Sequence, residues 1–217
     1  MSRARFTAED RRRIQEAVRE AEKKISGEIV PYVVNRSDTY GGALWLAAAC
    51  GGVLGALVVW VVHEMTMGWV PLGALEELAI VGVFAVAGAL LANFSSAALR
   101  FFAGRAVIEQ RVARRAAEAF TTEQVFATKD RTGILLFVSL AEHRVLVVAD
   151  TGIHRKVADG TWEGVVATVV NGIRAGKAAD GMIEAMRECM SILEKHGFNV
   201  RPDDRDELPD HLRTSRR

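Results

Sequence analysis

The chain has 217 residues, 50% of them hydrophobic, and its 28 Lys and Arg against 27 Asp and Glu leave a formal net charge of +1. That balance, with no Lys/Arg-rich stripe interleaved with aromatic residues, excludes the electrostatic footprint of a nucleic-acid binder, and no nucleic-acid partner is expected. The two cysteines, Cys50 and Cys189, lie far apart in unlike surroundings, which argues against a structural disulfide and suits a reducing cytoplasm.

The N-terminus, Met1 to Asp10, carries arginines with no apolar core behind them, so no cleavable signal peptide is expected there. Thr7, with Asp10 three positions on, reads as the N-cap of a helix. Ile14, Ala17, Val18, Ala21 and Ile25 then recur at helical spacing up to a stop at Gly27. Glu28 to Asn35 is rich in Ile and Val and reads as a strand, in which Pro31 removes a ladder donor and favours an edge or irregular position.

The composition then changes abruptly. Ala43 to Val62 is free of charge, and Leu78 to Leu99 is also uncharged, with Asn93 as its strongly polar member. A helix rises about 1.5 Å per residue, so about 20 apolar residues cross a hydrocarbon layer. Both runs meet that length, and Trp45, Trp60, Trp69, Tyr40, Phe101 and Phe102 stand near their ends, where amphipathic rings favour the headgroup level. The other reading is a buried helical hairpin in a soluble core, but the remaining chain is short for covering two such helices. Gly51 and Gly55 form a small-xxx-small spacing suited to close helix packing.

The connection from His63 to Glu77 has no Lys or Arg and carries Glu64, Glu76 and Glu77, whereas Arg36 precedes the first run and Arg100, Arg105, Arg111, Arg114 and Arg115 follow the second. The positive-inside rule then predicts a multi-pass protein of the inner (cytoplasmic) membrane with both termini in the cytoplasm.

Beyond the second run, Ala106 to Phe120 is predicted as a helix with Ile108, Val112, Ala116, Ala119 and Phe120 on one side and arginines facing water or anionic headgroups on the other. Ile134 to Leu140 and Arg144 to Ala149 read as an antiparallel hairpin turning at Ala141-Glu142-His143. Helices are expected over Trp162 to Ile173 and Asp180 to Lys195, the last ending at Gly197. The tail from Phe198, charged and with Pro202 and Pro209, is expected to be irregular.

These elements imply an α/β fold, an α/β/α sandwich with a small mixed sheet, interrupted by a two-helix transmembrane hairpin. Residues 1–36 supply the first helix and strand, 37–103 the hairpin, 104–197 the rest of the domain, and 198–217 the tail. The strand at 28–35 is expected to join the sheet formed by residues 134–149.

The common catalytic signatures G-x-S-x-G, GxxxxGK[ST] and HExxH are absent. The local cluster with the most chemistry is Asp150, Thr151, Gly152, His154 and Arg155, where a strand ends in a turn that joins carboxylate, hydroxyl, imidazole and guanidinium. Such a turn can hold a phosphate or a divalent metal, with Asp130 and Asp159 as further carboxylates beside Asp150. The structural reading stands next to it and carries the greater weight: Gly152 makes the turn, Asp150 caps backbone N–H groups, and His154 and Arg155 are solvated. His143 is expected at the surface of the hairpin turn, and Trp162 in the core.

The run Arg131-Thr132-Gly133-Ile134-Leu135-Leu136-Phe137-Val138-Ser139, followed by Arg144 to Ile153, resembles the central hairpin of the TPM-domain family, also known as a phosphatase family. The resemblance covers about residues 105–195, with Ser26-Gly27-Glu28-Ile29 matching the first strand. It implies a membrane-attached α/β/α sandwich with roles in photosystem repair or as an accessory to membrane receptors, some members being reported as acid phosphatases. This chain departs from the family pattern in having Asp150 where a glycine commonly begins the turn, and in the hairpin that interrupts the domain.

Two functions follow as expectations. The first is a non-enzymatic accessory or maintenance factor for a membrane complex, with the lipid bilayer and a membrane protein or a second copy as partners, and no cofactor. The second is a metal-assisted phosphatase acting on phosphomonoesters with Ca²⁺ or Mg²⁺ at the Asp150 cluster. Transport through the hairpin is disfavoured because neither run carries an ionisable residue.

Overall fold

The computed structural model describes residues 6–66, 69, 72–200, 208 and 211–215. Its contacts divide the chain into two compact units, one drawn from residues 1–38 and 111–217 and the other from residues 39–110.

The first unit begins with helix α1 (Ala8–Glu22), whose N-terminus is a capping box: the Thr7 hydroxyl accepts from the Asp10 amide at 3.1 Å, and the Thr7 amide donates to Asp10 Oδ2 at 2.9 Å. The helix stops at Glu22, before the expected Gly27. Ile25 instead bridges Asn199, and the Ser26 amide donates to the Phe198 carbonyl at 2.9 Å, so backbone pairing with a distant segment wins over helix continuation.

Strand β1 (Glu28–Val34) runs parallel to β2 (Gly133–Ser139), which pairs antiparallel with β3 (Arg144–Ala149); β4 (Arg213–Ser215) lies parallel on the other side of β1, in the order β3-β2-β1-β4. The strand at 28–34 therefore joins the 133–149 hairpin, as its short length requires. Two sequence expectations change. The tail contributes a strand, although its residues 201–207 lie outside the described residues. And β1 is an inner strand despite Pro31. The Glu28 amide points to β2, where it meets the Thr132 carbonyl, so alternation turns the Pro31 position away from β2. The β4 ladder starts only at Tyr32, so Pro31 removes no bond from it.

Helices α7 (Glu163–Arg174) and α8 (Ala178–Lys195) join α1 over one face of the sheet. Ile14 and Val18, Ile29 and Val33, Ile134, Leu136 and Val138, Val165 and Val169, and Met182, Met186, Cys189 and Leu193 form one buried cluster there. Trp162, at the end of a 3₁₀ turn, lies in that cluster. The opposite face is buried as well: Val30, Tyr32, Leu135 and Phe137 are all shielded from solvent, and the Tyr32 and Phe137 rings stack at 5.8 Å. Helix α5 (Arg105–Thr122) buries Val112, Ala116 and Ala119 outside the first cluster, and the result is an α/β/α sandwich. Arg111 and Arg114 of α5, expected to face water or headgroups, keep side chains 41% and 57% exposed and also converge on Asp38 Oδ2 at 3.1 and 3.2 Å. The left-handed Gly197 (φ +78°) follows α8, as expected.

The second unit is built on α2 (Gly41–Thr66) and α3 (Ala74–Phe94), both long and apolar enough to cross a membrane. The two pack along their lengths, with Gly51 facing Phe84 and Gly55 facing Val81. Their outward surfaces are apolar and open: Leu57, Trp60, Val83, Val86 and Leu91 are each at least half exposed. His63 Nε2 and Glu77 Oε1 join the two helices at 2.9 Å near their connection. The second apolar run ends at Phe94, short of Leu99, because Ser95 breaks the helix with an extended backbone and caps a separate helix, α4 (Ser96–Ala103), accepting from the Ala98 amide.

Candidate functional site at the end of the third strand

Asp150 follows β3 and caps the one-turn helix α6 (Thr151–His154). Its amide donates to the Gly133 carbonyl at 2.9 Å, its Oδ1 accepts from the Thr151 amide at 2.6 Å, and its carbonyl accepts from the Ile153 and His154 amides. Oδ2 lies 2.9 Å from Arg131 Nε, close enough for an ion pair. The same buried oxygen has no partner in hydrogen-bond geometry, so the contact is one of charge rather than of a directed bond. The Asp150 side chain is only 3% exposed, whereas that of Arg131 is 49% exposed.

Arg131 is held on its own loop. Its backbone is left-handed (φ +59°), its amide donates to the Thr128 carbonyl, and the Thr128 hydroxyl accepts from the Thr132 amide at 2.9 Å. Its guanidinium also lies over the Phe126 ring, 5.5 Å from the centroid. The loop rests on Gly152, whose amide donates to the Arg131 carbonyl at 3.0 Å. A Cβ at Gly152 would overlap the carbonyl oxygens of Asp130 and Arg131, so a side chain there would push the two turns apart.

The other sequence candidates stand around this core. Thr151, His154 and Arg155 are exposed, as is Asp130, whose backbone rather than carboxylate meets Gly152. The side chain of Asp159 lies outside the described residues. Among the described residues, no three His, Cys, Asp or Glu side chains gather as a metal would need. The arrangement thus pairs a buried carboxylate with a half-exposed guanidinium, and leaves one carboxylate oxygen without a directed donor.

Two groups with structural roles were not singled out by sequence. Arg131 opens the run that carries the family resemblance, ahead of the β-rich stretch, and nothing local marks it as the partner of a residue 19 positions away. Glu142 is read from sequence only as part of the hairpin turn, and it is 2% exposed: Oε1 accepts from the Ser37 amide at 2.8 Å and Oε2 accepts from the Ser139 hydroxyl. A carboxylate in a hairpin turn gives no sequence signal of burial.

The family model of the TPM domain matches residues 92–192. The chain carries a TPM domain. The match takes in β2, β3, the Asp150 turn, α7 and most of α8, close to the span of about 105–195 expected from the sequence resemblance. A solved structure, the NMR structure of BA42 protein from the psychrophilic bacterium Bizionia argentinensis sp. nov., is similar in fold: TM-score 0.59, 19% identity, with 97% of this chain and 95% of that chain covered. None of the curated proteins compared matches the chain.

Proposed function

We propose that the chain is a multi-pass protein of the inner (cytoplasmic) membrane, anchored by α2 and α3 with both termini in the cytoplasm, whose TPM domain serves a membrane complex as a non-enzymatic accessory or maintenance factor. The observation that carries the membrane part is the open apolar surface of the helix pair. None of the most apolar stretch of α3 is buried within the protein. Water-soluble proteins rarely leave so large a contiguous apolar surface uncovered, and at a membrane-helix centre each Leu, Ile, Phe or Val favours insertion by about 0.3–0.6 kcal/mol.

The Asp150 turn supports the non-enzymatic part. Its carboxylate is taken up by the Thr151 amide and the Arg131 charge, which is what a structural junction between β3 and α6 needs. The partner is a membrane protein or a second copy of the chain. Co-purification from gently solubilised membranes is expected to recover one specific protein in stoichiometric amount; a consistently solitary chain would count against the accessory role. A reporter fused at either terminus is expected to be active only in the cytoplasm, and activity outside would reverse the orientation.

A second reading, a phosphatase assisted by Ca²⁺ or Mg²⁺, draws on the Asp150 oxygen that lacks a directed donor. Its test is hydrolysis of phosphomonoesters by the detergent-solubilised protein with each metal, repeated with Asp150→Ala. Equal rates remove this site from consideration, and a loss of activity in a folded variant would favour the phosphatase over the accessory role.

A further inference from the structure

We infer that α4 is an interfacial helix, lying in the headgroup layer of the membrane with Phe101 immersed in the upper acyl region and Arg100 and Arg105 at the level of the lipid phosphates. This rests on the reading of α2 and α3 as membrane spans.

The backbone separates α4 from the span before it. Ser95 is extended (φ −104°, ψ 113°), which ends α3, and Gly104 has φ +75°, which separates α4 from α5. Eight residues rise about 12 Å, far too little to cross the hydrocarbon layer. A break at each end is what a chain needs to change direction where it leaves lipid.

The side chains divide α4 into two faces. Leu99 is 1% exposed, on the side where α4 packs against α2 and α3. Ala97 and Phe101, four residues apart and so on one helix face, are exposed. Phe101 is 81% exposed, as open as Trp45 on α2 at 80% and more open than Phe94 at the end of α3 at 74%. Its ring is held edge-on by Phe102, with centroids 5.1 Å apart, so it is presented outward rather than folded back. The apolar surface of α3 thus continues onto α4.

Charge identifies what covers that surface. Arg100 lies within α4 and Arg105 opens α5 just past Gly104, paired with Glu109 at 2.9 Å, whereas the opposite end of the helix pair carries Glu64, Glu76 and Glu77. An apolar ring flanked by guanidiniums matches the boundary between acyl chains and phosphates, where long basic side chains reach outward and rings settle inward. A protein partner would have to cover the same ring without sharing its continuity with the lipid-facing surface.

The test uses the full chain reconstituted in vesicles of phosphatidylcholine and phosphatidylglycerol, with nitroxide labels read by collision with molecular oxygen and with a water-soluble nickel chelate. The native Cys50, exposed on α2, reports the spans, and Cys189 is buried and stays unlabelled. On a Cys50→Ser background, Phe101→Cys and Ala97→Cys report α4, and Glu184→Cys on the exposed side of α8 gives the aqueous reference. All three replace exposed side chains, so folding is retained.

The expected order of the oxygen-to-nickel collision ratio is Cys50 highest, positions 97 and 101 intermediate, and position 184 lowest. A label at 101 matching position 184, with Cys50 still deep, overturns the interfacial helix and keeps the spans. Low collision with both reagents at 97 and 101 means that protein covers α4, and also overturns it. A Cys50 label that behaves like position 184 removes the membrane reading itself.

Discussion

Gly51 of α2 and Phe84 of α3 meet backbone to backbone, the Phe84 carbonyl oxygen filling the space that a Cβ on Gly51 would need. Gly55 repeats this one turn on, where a Cβ would stand 2.9 Å from the Val81 Cα. Such close approach supplies dispersion contacts along the helix pair, the kind of packing that holds helices together where there is no water to expel. Gly51→Leu is expected to weaken the hairpin by about 1–3 kcal/mol or more, since the clash is with main chain that cannot rotate away. Gly82 has open space around it, so Gly82→Ala is expected to be neutral or slightly stabilising. Detergent-denaturation midpoints of the two variants check the contrast, and equal midpoints would mean that the helices do not pack through Gly51.

Glu142 ties the β2–β3 turn to the segment that leaves β1. Because the Ser139 hydroxyl donates to Glu142, the 2.7 Å contact between the two serine hydroxyls has Ser37 as its donor, and each donor in the buried chain Ser37–Ser139–Glu142 has an acceptor. Removing the carboxylate strands the Ser37 amide and the Ser139 hydroxyl, at about 1–3 kcal/mol for each buried group left unpaired. Glu142→Ala is therefore expected to destabilise the domain strongly. Glu142→Gln keeps one carbonyl acceptor and is expected to lose less. A chemical-denaturation series resolves the order, and small, equal losses for the two variants would show that the turn is solvated.

The short strand β4 is held by Arg213, which is 7% exposed and reaches the Glu123 carboxylate at 3.0 Å and its carbonyl at 3.2 Å. Hydrogen bonds to charged groups contribute about 1.5–3 kcal/mol, more than a three-residue ladder is expected to hold alone. Arg213→Ala is expected to release β4 and to speed hydrogen exchange at the Val33 amide, which alternation points toward β4, while the Val30 amide on the β2 side stays protected. Unchanged exchange at Val33 would show that β4 holds without the arginine.

The legible parts of this fold were those with a period or a local cap. The Thr7–Asp10 box, the hairpin at 134–149, the helices around Val165 and Met182 and the two apolar runs follow from spacing alone. The missed features depend on pairings between distant residues. Ile25 looked helical until Asn199 was beside it, and the tail looked irregular because a three-residue strand carries no usable pattern. Pro31 argued for an edge, and the sheet satisfies that argument locally by ending the β4 ladder at Tyr32. At the Asp150 turn, the residue types predicted a cap and a tight glycine, and both are present; the partner Arg131 came from a different loop, placed by a left-handed backbone that an arginine does not advertise.

Cys189 provides a test of core packing through pH. Burial, with a smaller contribution from the neighbouring Glu188 charge, pushes its thiol from an ordinary 9.0 up to about 12. At neutral pH the thiol is protonated in both folded and unfolded chains, so its ionisation does not affect stability. As pH rises above 9.0 the unfolded chain loses this proton and the folded chain keeps it, so unfolding is favoured by about 1.4 kcal/mol per pH unit until the folded thiol titrates near 12. Cys189→Ala leaves a small cavity, which lowers stability by an amount that does not vary with pH, and removes this slope. The expected result is a stability profile that falls less steeply above pH 9 for the variant than for the parent, with a constant offset below it. A thiol reagent at neutral pH is expected to modify Cys50 alone in the folded chain and both cysteines in denaturant. Rapid modification of Cys189 in the folded chain would mean that α8 does not seal the cluster formed with Met182, Met186 and Leu193.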